Sequence, residues 1–233
     1  MRLDKFLSQN GYGTRKEVKK IIKNGNVTIN GTITKNNDYH LQSDDVVKCN
    51  NIIIEQLPNV YLMMNKPAGY VCANEDNLNK TIFLLIDEYY QTNLFTVGRL
   101  DKDTTGLLLI TNDGQWNHNI IKPKKNITKT YQALITNKIT AQDIELFKEG
   151  VIIENGYRTK PAHIKVIKEY EDKSLVEIVI TEGKFHQVKK MVHAIKQEVL
   201  ELKRIKIGNL ELDQSLELGA YRFLTSDEIN KFF

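Results

Sequence analysis

The sequence predicts an α+β protein in two parts, a small module over residues 1–57 and a larger domain over residues 58–233. The larger part is expected to be a mixed, mostly antiparallel sheet with flanking helices. Three observations lead there. A short helical stretch followed by an Asn-Gly turn between β-prone runs marks a compact opening unit. Beyond residue 58, several β-type runs follow one another with no helical pattern between them, which argues against a doubly wound sheet. The 233 residues, 41% hydrophobic and 27% charged, allow one small core and one larger one in a composition ordinary for globular chains.

In the first part, Leu3, Phe6 and Leu7 form a short apolar-spaced segment that Gly11 and Gly13 interrupt. Thr14 and Glu17 then stand at the spacing of a capping box, which opens a helix. Val18, Ile21 and Ile22 make the apolar stripe of that helix, with Lys16, Lys19, Lys20 and Lys23 opposite and Gly25 to end it. Two short β-prone runs, 27–29 and 32–34, flank Asn30-Gly31, the pair best suited to a type I′ hairpin. A third run at 45–49 completes the unit, and the polar stretch 50–59 around Pro58 reads as a linker.

In the second part, strands are expected at 60–64, 107–111, 130–136, 162–167, 174–181, 200–207 and 221–224. Helices are expected at 81–88, 115–121, 140–149, 186–195 and 226–231. The longest apolar clusters, 82–86 and 107–110, are far too short to span a bilayer. Cys49 and Cys72 are isolated thiols without metal-ligand spacing, and the first residues lack the apolar core of a signal peptide, so a reduced, cytoplasmic setting is expected. The net charge of +4 says little by itself. Its distribution is more telling: residues 1–24 carry Arg2, Lys5, Arg15, Lys16, Lys19, Lys20 and Lys23 against only Asp4 and Glu17, and 122–129 hold four lysines and no acid. A solvated helix face normally mixes both signs, so a ridge of one sign suggests phosphate contacts.

The stretch richest in chemistry is Gly98-Arg99-Leu100-Asp101-Lys102-Asp103-Thr104-Thr105-Gly106-Leu107. It sets an acidic turn immediately before an apolar strand, where a rigid scaffold can present functional groups. As structure alone, Asp101, Asp103 and Thr104 would be turn formers bonded to their own backbone. As rival chemistry, Asp-x-Asp-x-Thr is the nucleophile motif of haloacid-dehalogenase-type phosphatases, but there the motif follows an apolar strand, and here it precedes one.

Two resemblances carry the reading further. The segments 1–7, 13–17 and 25–31 resemble the S4 RNA-binding module. Taken whole, Gly-Arg-Leu-Asp-x-Asp-Thr-x-Gly-Leu resembles the catalytic motif of RNA pseudouridine synthases of the Rsu group. Asn65-Lys66-Pro67-Ala68-Gly69, Lys129-Thr130-Tyr131 and Glu182-Gly183-Lys184-Phe185-His186-Gln187-Val188-Lys189-Lys190-Met191 resemble that group's further signatures, in the right order.

What the resemblance implies is physically coherent. Pseudouridine forms when the N1–C1′ glycosidic bond breaks, the uracil turns, and C5 bonds to the same C1′, without net redox change, so no cofactor and no metal are expected. Asp101 takes the role of nucleophile or base, Lys189 that of the cation holding it charged, and Tyr131 that of the ring stacking on the uracil. Arg99 is expected at the RNA backbone or in the space left by the flipped base. Arg15, Lys16, Lys19, Lys20, Lys23, Lys184, His186 and Gln187 complete the expected RNA contacts. His186 and His193 lie seven apart, but with no further ligands nearby a metal site is not expected. Gln115-Trp116-Asn117-His118 looks most like the small-subunit branch of the group, which makes 16S ribosomal RNA the expected partner, encountered in an assembly intermediate by a monomer. The alternatives are a 23S rRNA target and a non-catalytic S4-type ribosome assembly protein.

Overall fold

The computed structural model describes residues 1–42, 44–55, 58–87, 93–154 and 156–232, which fall into two compact units. The first unit comprises Met1–Val60 with Asp87–Leu94. Helix α1 (Leu3–Gln9) leads to α2 (Arg15–Lys23), whose start is fixed as the sequence predicts. The Thr14 hydroxyl oxygen accepts from Glu17 N at 3.4 Å, and the Glu17 carboxylate accepts from Thr14 N at 2.7 Å. Val18 and Ile22 are fully buried against Leu3, Phe6 and Leu7 of α1, while Lys16, Lys19, Lys20 and Lys23 are exposed. Strands β1 (Val27–Ile29), β2 (Thr32–Ile33), β3 (Val47–Cys49) and β4 (Ile52–Ile53) form a sheet in the order β2-β1-β3-β4. Asn30 and Gly31 turn the β1–β2 hairpin with φ of 51° and 82°, both in the left-handed range that a type I′ turn requires.

The stretch expected as a linker departs from that reading. Asn50 and Asn51 take φ of 49° and 66° and fold Ile52–Ile53 back onto β3, with Cys49 opposite Ile52. Asparagine tolerates the left-handed region almost as glycine does, so a polar pair that looks like filler is a hairpin turn. Gln56 and Leu57 lie outside the described residues.

The second unit comprises Tyr61–Ile86 and Phe95–Phe233. Its sheet contains β5 (Tyr61–Lys66), β6 (Phe95–Thr96), β7 (Thr105–Thr111), β8 (Lys129–Thr136), β9 (His163–Glu169), β10 (Lys173–Ile180), β11 (Val199–Ile207), β12 (Leu210–Glu211) and β13 (Tyr221–Phe223). The main path runs β13-β5-β7-β11-β8-β10-β9, with β6 on β7 and β12 on β11. Only the β7–β11 pair among these described strands is parallel, so the sheet is mixed and mostly antiparallel, as predicted. Helices α3 (Gly114–Ile121), α4 (Ala141–Glu149), α5 (Gln187–Ala194) and α6 (Ser226–Asn230) flank it.

Trp116 anchors the core of this unit. It is fully buried with Met63, Leu107, Leu109, Ile207 and Phe232, and its ring meets Tyr61 and Phe232 edge to face. Its indole N–H donates to Ile229 O at 3.1 Å, which satisfies the one polar group that burial would orphan. The helix expected at 81–88 is instead a 3₁₀ turn at Ile82–Leu85, with Ile86 extended. Ile82 N donates to Val71 O and Thr81 bridges Val71, so pairing with a neighbouring segment overrides the local pattern. Glu88 lies outside the described residues. Among the described residues no helix is long and apolar enough to cross a membrane.

Candidate active site

The acidic turn between Leu100 and Thr105 is held from beneath by one buried cation. Lys66 ends β5 opposite Gly106 of β7, and it is fully buried. Its ammonium donates to Thr104 O at 2.8 Å, Asp101 O and Pro67 O at 3.0 Å, and Lys102 O at 3.3 Å. Burial pushes this ammonium below the ordinary lysine range, while the nearby Cys72, Asp103 and Asp101 act to raise it. Thr104 N closes the turn on Asp101 O at 3.1 Å, and Gly69 N donates to Lys102 O at 2.8 Å. The loop that carries Asp101 is thus tied by its carbonyls, leaving its carboxylates to face outward.

Gly106, the first residue past that loop with a demanding backbone, has φ of 97°. A Cβ there would lie 2.2 Å from Arg204 O and 2.9 Å from Arg204 N, so only glycine lets β11 run this close beside β7. The parallel pairing that results sets Arg204 opposite Gly106.

Asp101 shares an open cleft of about 430 Å³ with Arg99, Thr104, Tyr131, Lys184 and Lys189, while Ile180, Val188 and Leu202 supply apolar wall. Its carboxylate has one nitrogen near each oxygen: His186 Nε2 lies 3.6 Å from Oδ1 and Lys189 Nζ 3.7 Å from Oδ2. Both separations exceed hydrogen-bond length, so these neighbours leave the oxygens' close contacts unoccupied. The short contacts of Lys189 are with Asp103, at 2.5 and 2.7 Å. Partial burial works to raise the Asp103 carboxyl, but the hydrogen bond and charge of Lys189 outweigh it and hold that group below the ordinary carboxylate range.

Helix α5 and the residue that caps it supply both nitrogens. His186 precedes it with a left-handed φ of 54°, and its ring stacks on the exposed Phe185 at 3.8 Å between centroids. Gln187 is buried: its amide nitrogen donates to Glu182 Oε1 at 2.7 Å and its oxygen accepts from Lys184 N at 2.7 Å, so it shapes the 182–187 loop from inside. Tyr131, 8% exposed, reaches the cleft from β8 between Ile178 of β10 and Arg204 of β11. Lys184 and Arg99 are exposed on its rim. Arg15, Lys16, Lys19, Lys20 and Lys23 are exposed on α2 in the first unit.

Burial sets two residues here apart. Thr104, named by the sequence as a turn former, is 1% exposed, and its sealed hydroxyl has no hydrogen-bond partner among the described residues. Arg204 is 3% exposed, and its Nε donates to Leu107 O at 2.8 Å. The signal for Arg204 was a charged residue in step with buried Leu202 on a strand of period two. Among the described residues no cluster of three His, Cys, Asp or Glu side chains could hold a metal ion.

Known proteins resemble this chain over its whole length. The RNA pseudouridylate synthase family matches residues 60–194, and the S4 domain family matches residues 1–47. The uncharacterised RNA pseudouridine synthase YtzG of Bacillus subtilis is 43% identical over 99% of this chain and 97% of its own. Ribosomal small subunit pseudouridine synthase A is 42% identical in Vibrio parahaemolyticus, covering 99% of this chain and 98% of the relative. The Escherichia coli protein of that name is 39% identical over 98% of each chain. A solved pseudouridylate synthase superposes with a TM-score of 0.73 at 38% identity, covering 100% of both chains. With an S4 domain in front and the synthase fold around Asp101, the chain belongs to the RNA pseudouridylate synthase family and is an RNA-modifying enzyme.

Proposed function

We propose that this enzyme converts a uridine of 16S ribosomal RNA to pseudouridine in the cytoplasm, acting as a monomer on an assembling small subunit. The observation that carries the reading is the cleft that Asp101 and Tyr131 both line, with Lys189 Nζ and His186 Nε2 on either side of the Asp101 carboxylate. Residues 1–57 grip structured RNA through Arg15, Lys16, Lys19, Lys20 and Lys23, and residues 58–233 carry the chemistry. The relatives named for the small ribosomal subunit, with the Gln115-Trp116-Asn117-His118 segment, support the choice of RNA.

In this reading the target uridine is flipped out of the RNA and its uracil stacks on Tyr131, with Arg99 at the backbone or in the vacated space. Asp101, ionised, acts as nucleophile or base while the N1–C1′ bond breaks. The uracil turns and C5 bonds to C1′. The C5 proton then leaves through Tyr131, which lines the same cleft and passes its own hydroxyl proton on as it takes the new one, and N1 gains a proton. Nothing is oxidised or reduced. Lys189 and His186 flank the Asp101 carboxylate, Lys184 and His186 line the approach of the RNA, and Gln187 positions the loop that carries Lys184 and His186. Pseudouridine mapping of ribosomes from cells lacking this protein tests the target. Loss of one 16S rRNA pseudouridine, with 23S rRNA unchanged, is expected; loss confined to 23S rRNA would overturn the assignment.

A further inference from the structure

A second recess, of about 1080 Å³, shares Tyr131, Arg99 and Lys184 with the cleft but does not include Asp101. We propose that it binds a phosphate of the RNA backbone next to the reacting uridine, through Lys129 and Arg204. This rests on the reading that Asp101 and Tyr131 receive a uridine.

Strand register builds the recess. Lys129 and Tyr131 are two apart on β8 and so point to one face of the sheet, and Arg204 on β11 pairs with Tyr131. Arg204 therefore stands beside the stacking ring on the neighbouring strand, and Lys129 one two-residue step (about 7 Å) along β8 from it. That displacement suits a group covalently attached to a nucleotide seated on Tyr131.

Charge identifies the group. The described lining residues hold five cations, Arg99, Lys129, Lys160, Lys184 and Arg204, against one carboxylate, Glu182. Glu182 is already engaged: it accepts from Tyr157 Oη at 2.8 Å, Lys160 N at 3.1 Å and Gln187 Nε2 at 2.7 Å. Arg204 spends Nε on Leu107 O, but its buried Nη2 has no hydrogen-bond partner among the described residues. Burying a guanidinium with a donor unmatched is costly unless an anion completes it. Burial, then the charges of Arg204 and Lys160, push the Lys129 ammonium below the ordinary range, the mark of cations crowded without a counterion. A phosphate supplies both the charge and the acceptor oxygens that this arrangement lacks.

The test uses the whole protein and a fragment of 16S rRNA containing the target uridine, assembled with small-subunit proteins, with each phosphodiester around that uridine replaced in turn by an uncharged methylphosphonate. Wild-type protein, Lys129→Gln and Arg204→Gln are compared, with thermal unfolding of each variant measured in parallel. In the wild type, one neutral linkage beside the uridine should weaken binding by about tenfold or more. In Lys129→Gln the same replacement should cost little further, and the slope of log affinity against log salt should flatten by about 0.7. Arg204→Gln should show the same coupling. Lys129 lies half-exposed at a strand end, so its variant keeps the test decisive even where Arg204→Gln misfolds.

Additive losses, with no linkage coupled to Lys129, would overturn the phosphate assignment while normal conversion of the fragment left the Asp101 reading standing. Binding of free inorganic phosphate that Lys129→Gln abolishes, with no linkage dependence, would also overturn it. Failure of the wild type to bind or convert the fragment would overturn the assignment together with the reading beneath it.

Discussion

Replacing Lys66 by Met removes the cation under the catalytic loop while keeping a side chain of similar length. Four carbonyls, those of Pro67, Asp101, Lys102 and Thr104, lie within 3.3 Å of its ammonium. The variant avoids the cost of burying a charge, but it takes the ammonium donor from all four carbonyls, of which Asp101 O and Lys102 O keep a backbone N–H. Losing one partner of such a buried, charge-assisted set costs about 3–5 kcal/mol. For a domain of this size that is a fall in melting temperature of about 6–20 °C. Because the lost bonds hold Asp101 in place, kcat should fall while KM for RNA stays near the wild-type value. Circular-dichroism melting measures the first effect. Release of tritium from RNA labelled at uridine C5, which formation of the C5–C1′ bond requires, measures the second. A variant within about 1 kcal/mol of the wild type in stability, with unchanged kcat, would refute the claim that Lys66 organises the loop.

Thr104→Val replaces a buried, unpartnered hydroxyl by an isostere. It should raise stability by about 1 kcal/mol in chemical denaturation, since the hydroxyl is sealed without a partner. Gly106→Ala forces a side chain into φ of 97° and to 2.2 Å from Arg204 O. Destabilisation of at least about 2 kcal/mol is expected, because positive φ alone costs about 1–2 kcal/mol and the β7–β11 pair must also separate.

Much of the architecture was legible from periodicity and turn chemistry. The strand expected at 130–136 is Lys129–Thr136, and the helix expected at 186–195 is Gln187–Ala194. The Thr14–Glu17 capping box and the Asn30-Gly31 turn form as written, since both depend on neighbours within four residues. What failed depended on pairing with another segment in one case and on asparagines taking a glycine-like backbone in the other. The pairing of Thr81 and Ile82 with Val71 replaces a helix by a 3₁₀ turn, and the Asn50-Asn51 hairpin turns a supposed linker into a strand. The site divides the same way. The family resemblance singles out Asp101, Tyr131 and Lys189, but the preference of Lys189 for Asp103 and the approach of His186 to Asp101 arise only when α5 packs beside the loop. Lys66 stood out only as part of a signature and Arg204 not at all, because burial, not residue type, makes them unusual.

Asp101→Asn tests the central claim most directly, since it keeps the size of the side chain and removes only its charge. Single-turnover tritium release from C5-labelled 16S rRNA should fall by a factor on the order of 10³ or more, while the affinity for that RNA stays within a few-fold of wild type. Turnover at the wild-type rate by Asp101→Asn would contradict the account.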